Sequence, residues 1–185
     1  MFARPLDDYP RWMGYDDLDG PLSQVPVGEA RAVFARFLAD RAERLETLQA
    51  FLSETAGLSP PPSETGVAQL EAWLWPWLED WIREGDVEPE QHSALLHDVG
   101  VFAGEALIGE RPGIEWQLLT KGPRSQLGYQ FPVLAPFPEG YEPYWAVTRE
   151  TVADGYALGN SVLDPARPRL RPRLLHRYRI FAGLL

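Results

Sequence analysis

Two hydrophobic periods share this chain, and the point where one replaces the other restricts its fold more than any other feature. From about residue 29 to residue 109, apolar side chains recur at three- and four-residue steps, the spacing of one helix face. Beyond Pro112-Gly113 the pattern changes. Ile114-Glu115-Trp116-Gln117-Leu118 alternates apolar and polar, as a half-buried strand does. Helices followed by a hairpin, rather than helices alternating with strands, define an α+β class.

Each helix carries its own punctuation. In residues 29–55, Phe34, Phe37, Leu38, Leu45, Leu48 and Leu52 form the stripe, and Gly57 with Pro60-Pro61-Pro62 ends it. Ser63 can cap a second helix over 64–84, where Leu70, Trp73, Leu74, Trp77, Leu78 and Trp81 make a broad apolar face. Pro76 removes one backbone donor there and is expected to kink or split the helix. A third helix, 89–109, opens on Pro89 and has Leu95, Val99, Phe102 and Ala106 as its core stripe. Gly100 and Gly104 interrupt its other side at a cost of up to about 1 kcal/mol each relative to alanine, which predicts close approach of a second helix or the hairpin.

After the first strand, Lys121-Gly122-Pro123-Arg124 is turn material. Residues 126–134, with Leu127, Tyr129, Phe131 and Val133, predict the returning strand, and Pro132 places it near an edge. Pro136, Pro138 and Gly140 mark a loop. Residues 142–158 suit a helix, yet Val147, Thr148, Thr151 and Val152 suit strands as well, so both readings stay open. Leu174 to Leu185 predicts a short terminal helix. The expected architecture is three N-terminal helices packed on a short antiparallel hairpin, with further helix near the C-terminus. Residues 1–164 make one acidic domain whose first 26 residues are an irregular arm laying Trp12, Met13 and Tyr15 on the body; residues 165–185 are an arginine-rich segment.

Charge is distributed unevenly. The net charge is −10, but residues 1–164 hold all 27 acids against 11 bases, leaving −16. Residues 165–185 hold Arg167, Arg169, Arg171, Arg173, Arg177 and Arg179 and no acid. Such a body repels nucleic acid and suits a basic partner; the tail can meet phosphate, anionic lipid or the body itself, and the body is always within reach. Lysine occurs once, at Lys121, against sixteen arginines, a bias expected of a GC-rich genome. Without cysteine there are no disulfides, thiolate metal sites or cysteine nucleophiles. Met1 to Asp8 turns acidic at once, unlike a secretory signal, and no apolar run is long enough to span a membrane, so the expected location is the cytoplasm.

No complete catalytic, nucleotide or metal motif stands out, and no cofactor is expected. Asp16-Asp17-Leu18-Asp19-Gly20 has some look of a calcium loop, but the register puts Tyr15 at the first ligand position and Pro26 at the twelfth. His92, His97 and His176 lack any compact metal-ligand spacing, although Glu88 and His92 share a helix face. Ser161 lacks the glycines of a nucleophile elbow, and Ser125 lies in a turn. Asp98 and Glu105, seven apart on one edge of the third helix, could do acid–base work between that helix and the 114–134 hairpin, with Arg124 or His97 assisting. Their backbones stand about 10 Å apart, however, and salt bridges to Arg124 or Arg149 are the plainer expectation. Four tryptophans fall in 73–81. Trp73, Trp77 and Trp81 are read as core. Trp75 is read as covered by the arm or as exposed beside Glu79, Asp80 and Glu84, the composition of a protein-binding hot spot.

The order Asp98, Gly100, Gly104-Glu105, Trp116, Pro132-Val133-Leu134 and Pro136-Phe137 resembles bacterial α+β families in which a Gly-Glu helix runs into a tryptophan-bearing strand and then a Pro-Val-Leu strand. It is also similar to small acidic immunity proteins of bacterial toxin systems. The likeness covers 98–137 and carries no site residue with it. Two functions follow. One is a non-enzymatic acidic module, of the immunity or accessory kind, for a basic protein partner. The other is an enzyme or small-ligand binder using Asp98 and Glu105.

Overall fold

One helix is surrounded by the rest. The computed structural model describes residue 6 and residues 9–11, 21–84, 89–126, 128–137, 144–164 and 173–184. Its elements are α1 (Val27–Ala56), α2 (Glu64–Glu84), α3 (Pro89–Glu110), β1 (Glu115–Leu118), β2 (Pro132–Ala135), α4 (Val147–Leu163) and α5 (Leu174–Ala182). Every residue of α3 from Ala94 to Gly104 is buried, and α1, α2, α4 and α5 all pack against it. A helix with apolar or small residues on most of its circumference is accommodated at the centre of a bundle.

The two helix glycines set how closely the neighbours approach. A Cβ on Gly100 would fall 2.6 Å from Thr148 Cα, so α4 crosses α3 there backbone to backbone. A Cβ on Gly104 would fall 2.3 Å from the Trp116 ring, so β1 rests on the next turn. The helix and the hairpin both make the expected close approach. β1 and β2 pair antiparallel, with Trp116 opposite Leu134 and Leu118 opposite Pro132. A two-stranded ribbon is marginal alone; this one packs on α1 through β1 and on α4 through β2.

Three elements depart from the sequence reading. α2 runs as one helix from Glu64 to Glu84 with Pro76 inside it, on the exposed side, so the proline does not split it. The returning strand is Pro132–Ala135 rather than 126–134: before it, Tyr129 N–H donates to Gln126 O and Phe131 N–H to Gly128 O, as turns do. Gln130 sits there at φ 61, buried, and its amide nitrogen donates to Leu22 O at 2.6 Å and Val25 O at 3.0 Å. The Gln130 side chain thus fastens the 22–25 segment, while its backbone N–H still donates to Leu119 O at 2.6 Å and Phe131 O accepts from Leu119 N–H at 3.3 Å. Finally, Trp145 bridges Leu134 as a strand residue would, and the helix begins only at Val147, so the described part of 142–158 is a strand-like bridge followed by α4.

α1 ends as expected: Gly57 takes a left-handed φ of 63°, with Leu58 N–H donating to Leu52 O. Leu6 and Tyr9 of the arm are buried in the main core, and Tyr178 and Phe181 of α5 join the same core. No described helix is long and apolar enough to cross a membrane. Trp12, Met13, Tyr15, the Asp16–Gly20 stretch, Glu88, Leu127, Pro138, Gly140, Arg167, Arg169, Arg171 and Leu185 lie outside the described residues.

Candidate functional site

Asp98 is 0% exposed, and an isolated buried carboxylate is costly. Its surroundings answer that cost. Arg44 of α1 grips it with both arms of the guanidinium, Nε to Oδ1 at 3.0 Å and Nη2 to Oδ2 at 2.6 Å. Tyr9 donates its hydroxyl to Oδ2 at 2.5 Å, and His97 Nδ1 lies 3.3 Å from Oδ1. Arg44 also donates to Pro10 O at 2.9 Å, so the same cluster fastens the arm. Burial works against the Arg44 charge, but the hydrogen bonds and charge of Asp98 outweigh it and raise its pKa. Burial, and then the negative charge of Asp98, push the Tyr9 phenol well above its usual value. Such a carboxylate, ringed by donors and closed to solvent, is built to hold a charge pair in place.

Glu105 is engaged in the same way one face along. Its Oε1 accepts from Arg41 Nη1 at 2.8 Å and from Trp116 Nε1 at 2.6 Å. The structure therefore does not bring Asp98 and Glu105 to a common point; it joins each to an arginine of α1. The salt-bridge expectation named the wrong arginines. Arg124 is exposed, and Arg149 lies over the Phe131 ring, 4.3 Å from its centroid. A signal for the true partners was present: Arg41 and Arg44 fall on the stripe running through Phe37, Leu48 and Leu52, where charge needs an opposite charge. Tyr9, distant in sequence, gave none.

The tryptophans of α2 correct the sequence reading more sharply. Trp75 is buried at 8% exposure, whereas Trp73, Trp77 and Trp81 are half-buried on the flank. The reason is tertiary. Glu71, one turn before Trp75, accepts the Leu175 N–H at 2.7 Å, so α5 docks on the side that Trp75 shares. Periodicity within α2 contains no record of where α5 will lie. Among the described residues Trp75 Nε1 has no hydrogen-bond partner.

What remains outside is an aromatic row. Trp73 stacks on Trp77 with centroids 5.1 Å apart, and Trp77 on Trp81 at 5.9 Å. Phe51 of α1 meets Trp73 and Trp77 edge-on at 6.3 and 6.0 Å. His92 adjoins Trp81 at 6.1 Å and Tyr156 at 5.9 Å. Desolvation pushes the His92 imidazole down to about 4. Of the acids expected beside the tryptophans, Glu79 and Asp80 both contact Arg83, and Glu84 is exposed at the end of α2.

The described tail arginines meet their own body: Arg177 reaches Glu150 at 2.5 Å and Asp154 at 4.0 Å, and Arg179 reaches Glu64 at 2.6 Å, while Arg173 is exposed. Ser161 donates to Leu158 O within α4, Ser125 is exposed, and His176 is exposed on α5. Among the described residues, no group of three or more histidines, aspartates and glutamates is placed to hold a metal ion. The chain matches no protein-family model, no curated protein and no solved structure.

Proposed function

We propose that this protein is a non-enzymatic acidic module that binds a basic protein partner, in the manner of an immunity or accessory protein. The observation that carries the reading is how the carboxylates are allotted. Asp98 and Glu105, the two acids best placed for chemistry between α3 and the hairpin, are held by Arg44 and Arg41. The 1–164 body holds 27 acids against 11 bases, and the whole chain, its six tail arginines included, still carries a net charge of −10. A surplus of that size raises the rate of encounter with positive surfaces and disfavours nucleic acid. The helix-then-hairpin likeness to small acidic immunity proteins points the same way.

Charge-led association weakens steeply with salt. The tagged protein, incubated with host extract at low ionic strength, is expected to retain one basic protein in stoichiometric amount. That protein, once purified, should rebind and be released as salt rises. Retention of nothing at low salt, or of a partner indifferent to salt, contradicts the reading.

A further inference from the structure

The geometry points to the Trp73–Trp77–Trp81 row of α2 as a docking strip for arginine side chains of that partner. This rests on the binding-module reading and specifies which face and which cation it uses.

Trp73, Trp77, Asp80 and Glu84 follow one another at steps of four, three and four residues, so they occupy one stripe of the helix, with Trp81 beside it. Rings in contact lie about 3.5–4 Å apart plane to plane. Centroid separations of 5.1 and 5.9 Å with interplanar angles of 21° and 7° therefore describe slipped stacks, in which part of each ring face overhangs its neighbour. Two carboxylates stand along the same stripe: Glu84 is exposed, and the Asp80 side chain, 74% exposed, touches Arg83 at 3.3 Å through Oδ1, an exposed surface contact that a second guanidinium can share or displace.

Aromatic faces bordered by acids select a planar, weakly hydrated cation. A guanidinium can lie flat on an indole overhang while its edge hydrogen-bonds a carboxylate in two places; a lysine ammonium is compact, strongly hydrated and does neither as well. The chain builds the same arrangement for itself. Arg44 lies 5.5 Å from the Tyr9 ring centroid while both its arms hold Asp98.

Nine-residue arginine and lysine peptides of equal charge, titrated against the full chain at about 0.15 M salt, test this directly. The arginine peptide is expected to bind about tenfold more tightly or better, a margin within reach of a desolvated cation–π contact. Trp77→Ala should erase that preference. The double variant Asp80→Asn/Glu84→Gln, confined to exposed positions and so safe for folding, should weaken the arginine peptide more than Glu29→Gln/Glu115→Gln, which removes the same charge elsewhere. Equal affinity for the two peptides, or a preference that survives both the tryptophan and the α2 carboxylate changes, overturns the docking strip and leaves the basic-partner reading standing. Failure of both peptides to bind even at low salt sinks both readings.

Discussion

At the scale of single residues, two kinds of buried group make opposite demands on pH. His92 has its pKa lowered to about 4 by desolvation, from an ordinary 6.5. The native state thus binds fewer protons than the unfolded chain between those values. Its contribution is fully present above pH 6.5 and is lost as pH falls through 4, amounting to at most about 3 kcal/mol. Glu71 and Asp154 act in the other direction. Burial raises both, so their ionisation costs the native state as pH climbs past their ordinary values of 4.5 and 3.8. The isolated test is the difference between wild type and His92→Phe. Urea unfolding at about pH 7 and about pH 4.5, on either side of the ordinary histidine pKa, should show the variant losing less stability on acidification. An unchanged loss would mean that His92 does not carry the acid sensitivity.

The Arg44–Asp98 pair invites a second comparison. Asp98→Asn leaves a buried guanidinium without its counter-charge and is expected to cost about 3–5 kcal/mol in chemical denaturation. The triple change Tyr9→Phe/Arg44→Met/Asp98→Leu replaces the cluster with apolar volume and should recover most of that loss, as buried pairs do when both charges go. A triple variant as unstable as Asp98→Asn would mean that the cluster does more than hold α1, α3 and the arm together.

At the scale of elements, glycines give the cleanest contrast. In an open helix position, glycine to alanine gains up to about 1 kcal/mol. Gly109, where an added Cβ would meet nothing within 4 Å, should show that gain. Gly100→Ala should instead lose about 1–3 kcal/mol, because its methyl meets the α4 backbone at Thr148, which cannot rotate aside as a side-chain tip can. Thermal melts of the two variants should therefore shift in opposite directions. The same glycines show what was legible in the sequence. Two of them four apart inside a good helix announced close packing on two sides, and α4 and β1 fill those places. The three N-terminal helices and the β1 strand were readable because their periods are local. The exchange of Trp75 with Trp73, Trp77 and Trp81 was not, because it depends on where α5 docks. Nor was the short return at Gln130, whose buried side chain is held by carbonyls more than a hundred residues earlier. Of the site, Asp98 and Glu105 were found, and their ion pairing was foreseen in kind. Arg41 and Arg44 were missed although they interrupt an apolar stripe.

At the scale of the whole molecule, the half-buried tryptophans and the exposed acids Asp80 and Glu84 share one flank of α2. The arginines of α5 pair with Glu150 and Glu64, while along α2 Arg83 contacts Glu79 and Asp80 and Glu84 is exposed. The indole N–H groups offer a direct readout of this division, since each tryptophan reports from its own environment. In a nitrogen–proton correlation spectrum of the full chain titrated with the arginine peptide, the Nε1–H signals of Trp73, Trp77 and Trp81 are expected to shift together. Those of Trp75, Trp116 and Trp145, buried in the core, should stay where they are. Shifts centred on Trp116, beside Glu105, with the α2 row silent would contradict this and favour a site between α3 and the hairpin.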